Sequence, residues 1–136
     1  MMTDPLADMF SRLRNARRAG KSLVVVSFSD LKLRIAGILA TQGIVVVSPE
    51  EADKKGKERL ITLMLRMHAS GSPILVDIQR VSRPGARIFV DKDHIPAMKQ
   101  NFGFSIISTM QGVMTGFEAR KRKMGGEVLG TVTIAG

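Results

Sequence analysis

The chain contains no cysteine, no tryptophan and no tyrosine, and six phenylalanines are its whole aromatic complement. Without cysteine, disulfides, thiolate metal sites and cysteine nucleophiles are excluded. Without tyrosine or tryptophan, the paired aromatic platform on which RNA-recognition domains stack single-stranded bases is missing. No apolar run approaches the ~20 residues that span a bilayer. The opening Met1-Met2-Thr3-Asp4 lacks a basic leader and an apolar signal core, so export is not expected. His68 and His94 stand apart, with no carboxylate, hydroxyl or second histidine spaced to make a base, a nucleophile or a metal set. No glycine-rich loop follows a strand and opens a helix with a lysine. These absences point away from an enzyme, a metal site and any other cofactor.

What is present is positive charge. The 136 residues carry 21 basic against 12 acidic side chains, a formal charge of +9. Such an excess favours a polyanionic partner, nucleic acid before membrane; the alternative is a basic soluble protein with no polyanion. An apolar share of 44% is enough for a core, and the length suits one mid-sized domain or two small interdependent ones.

Along the chain, Asp4 is placed to cap a first helix with Pro5 at its first position. Leu6, Met9, Phe10 and Leu13 recur at helical spacing, and Gly20 is the stop. Residues 23–26 read as a strand. Ser29 or Asp30 then caps a second helix with apolar positions Leu31, Ile35, Ile38 and Leu39, ended by Gly43. Residues 44–47 and 60–67 read as strands around a charged loop at 50–59. A Ser/Gly/Pro-rich linker at 67–73 follows. The second half reads as strands at 74–81, 87–90, 104–107 and 128–134, with a Pro84-Gly85 turn. A short helix is expected at 95–100 and a helical turn at 116–123. The expected fold class is α+β in two small domains. An N-terminal α-β-α-β-β unit occupies residues 1–70, and a β-rich unit with short helices occupies 71–136.

The stretch 108–127 is the candidate site. Ser108, Thr109, Met110, Gln111 and Gly112 form a turn after the 104–107 strand. Arg120, Lys121, Arg122 and Lys123 are consecutive cations, and Gly125, Gly126 and Glu127 lead into the last strand. Hydroxyls and bare backbone beside concentrated cations suit a sugar–phosphate surface with exposed bases. Each has a blander reading. The hydroxyls can end a strand, the cations can be a solvated face, and the glycines can be a plain turn. Arg80, Arg83 and Arg87 flank the Pro84-Gly85 turn, where strand alternation need not bring them together.

The same stretch resembles the eighth protein family of the small ribosomal subunit of bacteria and organelles. Two further segments match that family: Asp4-Pro5-Leu6-Ala7-Asp8-Met9-Phe10-Ser11-Arg12-Leu13-Arg14-Asn15 and Arg80-Val81-Ser82-Arg83-Pro84-Gly85-Ala86-Arg87-Ile88-Phe89. Three segments in register make the similarity specific over nearly the whole chain. The resemblance implies a two-domain binder of a central-domain stem in small-subunit rRNA, acting early in assembly. It implies neighbours from the fifth and twelfth small-subunit families, and an mRNA with a similar stem as a further, regulatory partner. It places the protein on ribosomes, in the cytoplasm or in an organelle that encodes it. A basic enzyme with an unrecognised site is the remaining alternative.

By the same resemblance, Ser108, Thr109 and the following turn enter the minor-groove side of the stem, with Glu127, Gly125 and Gly126 beside its core. The cations 120–123 would meet phosphates, and Arg14, Asn15, Ser29 and Lys32 would grip the stem from the other side; apart from the resemblance, Arg80, Arg83 and Arg87 are candidates for a second RNA surface, where Phe89 offers a stacking ring. Departures fall at these positions. Met110 stands where the family has serine, Gln111 where lysine is frequent, and Phe89 where tyrosine is frequent. Phe28-Ser29-Asp30 stands where serine-serine-lysine is usual. Either Met110 faces RNA with its thioether, or it turns inward as core.

Overall fold

The computed structural model describes residues 4–48, 59–96, 98 and 102–135. Helix α1, Pro5–Arg18, begins where Asp4 accepts from the Ala7 amide at 3.2 Å, with proline inside the first turn. Its apolar spacing puts Leu6, Met9, Phe10, Leu13 and Ala16 on one buried face. After Gly20, at φ +71°, come strand β1, Leu23–Ser27, and helix α2, Asp30–Thr41. Ser29 caps α2, its hydroxyl accepting from the Lys32 amide at 3.1 Å. Strands β2, Val45–Ser48, and β3, Leu60–Leu65, complete an antiparallel sheet in the order β1-β3-β2.

A second antiparallel sheet is built from β4, Leu75–Arg80, β6, Gly103–Thr109, β7, Gly112–Thr115, and β8, Gly126–Ile134, ordered β4-β8-β6-β7. A short strand β5, Phe89–Val90, pairs with the start of β8, and helix α3, Gly116–Lys121, joins β7 to β8. The composition is thus α+β. One apolar cluster joins α1, α2 and the first sheet to Leu75, Ile78, Phe104, Ile106, Leu129 and Val132 of the second. A smaller cluster of Ile95, Ile107, Met114, Ala119 and Val128 lies on the second sheet's other face, as strand alternation requires. Asp4 also pairs with Arg80 at 3.2 Å, and Arg80 donates to the Leu129 carbonyl at 2.7 Å. The cap of α1 is therefore fastened to the second sheet. Among the described residues no helix is long and apolar enough to cross a membrane.

Several expectations need correction. The strand at 104–107 continues through Thr109, and 112–115 is its hairpin partner, so the hydroxyl-rich turn shrinks to Met110-Gln111. Alternation there is hidden because Val113 and Met114 are consecutive apolar residues. The strand at 87–90 is only Phe89–Val90. Ile95 and Pro96 are not helical, and residues 97, 99 and 100 of that expected helix lie outside the described residues. The linker at 67–73 is closed rather than open: Met67 and Pro73 form a bridge, and His68 donates to the Ser72 carbonyl at 2.8 Å. Of the charged loop at 50–59, only Arg59 is described; its guanidinium lies 3.9 Å from the Phe28 ring centroid.

Candidate nucleic-acid interface

Sheet register assembles the centre of the site. Phe89 of β5 pairs with Glu127 of β8, Glu127 pairs with Ser108 of β6, and Ser108 pairs with Val113 of β7. Directly opposed residues share a face, so three candidate residues far apart in sequence stand in one row. The row lies at the polar end of the face that carries Ile106 and Leu129 into the main core.

At one end is the β6–β7 hairpin. The Thr109 hydroxyl donates to the Gly112 carbonyl at 2.8 Å and accepts from the Gln111 amide at 3.1 Å. Gly112 has φ +118°, a conformation that L-residues avoid, which lets the chain turn within two residues. Thr109 is therefore occupied in closing the turn, while Ser108 Oγ makes no hydrogen bond among the described residues. Met110 is 99% exposed at the tip. It is not core, which rules out the inward alternative.

Glu127 is the best-anchored member. Buried Ser82 donates to Glu127 Oε2 and accepts from the Ile88 amide at 3.1 Å. Arg87 approaches both carboxylate oxygens at 3.3 and 3.2 Å. A carboxylate has about four acceptor positions, so some remain for a base amino group. Sequence reasoning passed over Ser82, whose only signal was a lone hydroxyl within the Arg80–Phe89 motif. Gly125 and Gly126 have an internal reason to be glycine. A Cβ on Gly125 would meet the Val90 carbonyl and Asp91, and one on Gly126 would land on the Ser108 carbonyl. Their open side is filled by neighbouring strands, leaving only backbone for a ligand.

The start of α2 forms the facing wall. Leu31 stands between two grooves. One runs between Asp30, Arg34 and Ser108 to Val113; the other runs between Phe28, Ser29, Lys32 and Pro84, Arg87, Glu127. Lys32 is buried, its ammonium donating to Ser27 Oγ at 2.8 Å and the Ser27 carbonyl at 3.2 Å. No carboxylate pairs with it among the described residues, and a third donor remains. A largely buried, unpaired cation lining a groove suits an anionic ligand. Asp30 occupies the first turn of α2, where negative charge favours the helix dipole, a physical reason for it beyond RNA.

The basic run does not act as one face. Arg120 donates to the Ile95 carbonyl at 2.9 Å, and Arg122 binds Glu118 at 2.8 Å and Gln111 at 3.1 Å. Lys121 and Lys123 are exposed, and their ammonium groups make no hydrogen bond or ion pair among the described residues. Lys123 is also the one non-glycine residue described with positive φ, +57°, just past the end of α3. Near the glycine pair, His94 Nδ1 hydrogen-bonds the Asp91 carboxylate. This raises the imidazole above its ordinary 6.5 and lowers the carboxyl below 3.8. Arg14 and Asn15 are elsewhere. Their helical distance from Pro5, which lines the second groove, is about 15 Å, and Arg14 donates to the Ile78 carbonyl and Ser11.

Hydroxyls, backbone, a fixed carboxylate and cations on one concave wall are groups that complement a sugar–phosphate surface, a chemistry suited to the class of small basic ribosomal proteins. The sequence pattern of the family described as Ribosomal protein S8 matches residues 4–133. The chain is 42% identical over 129 residues to Small ribosomal subunit protein uS8 of Dichelobacter nodosus (strain VCS1703A), covering 95% of this chain and 97% of that protein. It is 43% identical over 130 residues to the protein of that name from Anaeromyxobacter sp. (strain K), covering 96% and 97%. For Persephonella marina (strain DSM 14350 / EX-H1) the figures are 39% over 132 residues, 95% and 97%. The chain belongs to the ribosomal protein S8 family and is a structural component of the small ribosomal subunit.

Proposed function

We propose that this chain binds small-subunit rRNA directly and holds a central-domain stem in place during assembly. The observation that carries this reading is the convergence of both halves on one surface. The Phe89–Glu127–Ser108 row and the hairpin tip come from one sheet, and Ser29 and buried Lys32 come from α2. A wide A-form minor groove displays 2′-hydroxyls and base edges, which the free Ser108 hydroxyl and the Glu127 carboxylate complement. The glycine pair shapes the surface from within, by letting the start of β8 pack closely on Val90, Asp91 and Ser108, and Lys121 and Lys123 meet phosphates at its rim. Arg14, Arg120 and Arg122 are structural in this reading, because their guanidiniums bind the protein itself. Asn15 lies outside the surface. Proteins of the fifth and twelfth small-subunit families are the proposed neighbours, the stem being the contact that recruits the chain.

The test is titration of the full chain with the central-domain rRNA stem and with the same stem scrambled at its internal loop, at fixed salt. Binding to the native stem should exceed binding to the scrambled one by tenfold or more. Equal binding to both would reduce the chain to a non-specific cation and remove the proposed surface.

A further inference from the structure

The first sheet has an open edge that the RNA surface does not use. In the order β1-β3-β2, β1 is terminal. Leu65 donates to the Ser22 carbonyl at 2.7 Å and Phe28 donates to the Arg59 carbonyl at 2.9 Å. In an antiparallel ladder these bonds alternate, so residues 22, 24, 26 and 28 face β3. Leu23 and Val25 therefore turn their amides and carbonyls outward, whereas the next outward carbonyl, Ser27, is taken by Lys32.

The outer face of this sheet carries an apolar row. Leu23 pairs with Met64, and Met64 pairs with Val46; they are 54%, 50% and 53% exposed, and Val25 stands beside them. Scattered exposed aliphatics are ordinary, but a row across three strands ending at an edge that is unpaired among the described residues is a template for another strand. Along that edge a groove of about 300 Å³ separates β1 from the flank of α1, with Arg12 and Lys21 lining it. Arg12 holds Asp8 at 3.0 Å in an exposed pair, and Lys21 has no ion-pair partner among the described residues.

The geometry points to a docking site for an extended segment of another small-subunit protein, added as a fourth strand on β1. The open backbone groups select an extended chain, since strand addition is how such edges are completed. The row Leu23–Met64–Val46 selects aliphatic side chains on one face of that segment. Lys21, which has no ion-pair partner among the described residues, selects a carboxylate. A second copy of this chain would bring a further +9 and the same basic rim, and RNA would find no donors on the aliphatic row.

Residue-resolved hydrogen exchange tests this with the full chain in three states: free, bound to rRNA alone, and in small subunits reconstituted from purified components. The Leu23 and Val25 amides should exchange fast in the first two and slow by tenfold or more in the particle. Protection with rRNA alone, protection in the free chain on raising its concentration, or none in the particle would each overturn the proposal. In Lys21→Glu the particle protection should fall at least tenfold with rRNA affinity unchanged within twofold; full protection would overturn the acidic partner. Val25→Pro removes an edge donor but no ladder bond, as edge strands tolerate. It should abolish protection of Leu23 while Val24 and Val26 stay slow, the latter pair reporting an intact sheet; retained Leu23 protection would overturn strand addition. A chain that binds rRNA yet shows no edge protection in the particle removes this inference and leaves the RNA reading standing.

Discussion

At the residue scale, two adjacent hydroxyls that look equivalent in sequence have different roles. Thr109 Oγ1 closes the hairpin through Gly112 and Gln111, whereas Ser108 Oγ makes no hydrogen bond within the described residues. Thr109→Ala should cost about 1 kcal/mol of folding stability, the net worth of a lost hydrogen bond. Ser108→Ala should leave thermal unfolding unchanged and weaken stem binding by about 1 kcal/mol. Unfolding and binding curves on both variants check the split; a Ser108→Ala protein with native affinity would take that hydroxyl out of the interface. Met110 follows the same logic. Being 99% exposed, it leaves no cavity when shortened, so Met110→Ser should keep the native melting temperature. Any affinity change then reports contact with RNA alone, read by titrating the native stem.

At the element scale, the two long helices α1 and α2 are legible from local pattern. The α1 cap, its proline and its apolar stripe depend on neighbours three or four residues away, so local pattern is enough. The β6–β7 hairpin was not legible, because the pairing of Ser108 with Val113 and Glu127 is a matter of register between strands. The candidate site was legible as residue types, and the part that escaped was what each already binds. Arg14, Arg120 and Arg122 look free in sequence and are held by Ile78, Ile95 and Glu118. The glycine pair shows the same limit. Gly126→Ala would press a methyl onto the Ser108 carbonyl, with Ile107 Cγ2 at 3.2 Å, and should cost roughly 2–3 kcal/mol by overpacking. Chemical denaturation of the free protein measures it; an unchanged midpoint would mean that β8 can shift away from β6. The end of α3 gives the opposite sign. Lys123 holds a left-handed conformation that glycine adopts without strain, so Lys123→Gly should stabilise by about 0.5–1 kcal/mol, the strain relieved exceeding the backbone entropy lost.

At the scale of the whole molecule, a charge of +9 says that a polyanion is attracted and leaves open where it sits. Internal hydrogen bonding narrows the answer. Of the run 120–123, only Lys121 and Lys123 carry cations without a protein partner among the described residues, and Lys123 keeps its charge in a conformation that favours glycine. A lysine placed there against its backbone preference is what an external contact would explain. Neutralising Lys121 and Lys123 to glutamine should therefore flatten the salt dependence of stem binding by about 0.7–0.9 logarithmic units per lost contact, through reduced counterion release. Native and scrambled stems should weaken together, since phosphate contacts carry no sequence information. Arg120→Gln should behave differently. It breaks a bond to the Ile95 carbonyl at 2.9 Å, so it should lower stability while leaving the salt slope near its native value. Binding isotherms across a range of potassium chloride, set beside denaturation curves for the same variants, separate the two outcomes. A slope that falls for Arg120→Gln and not for the lysine pair would invert the assignment and place the phosphate contact on the residue now read as structural.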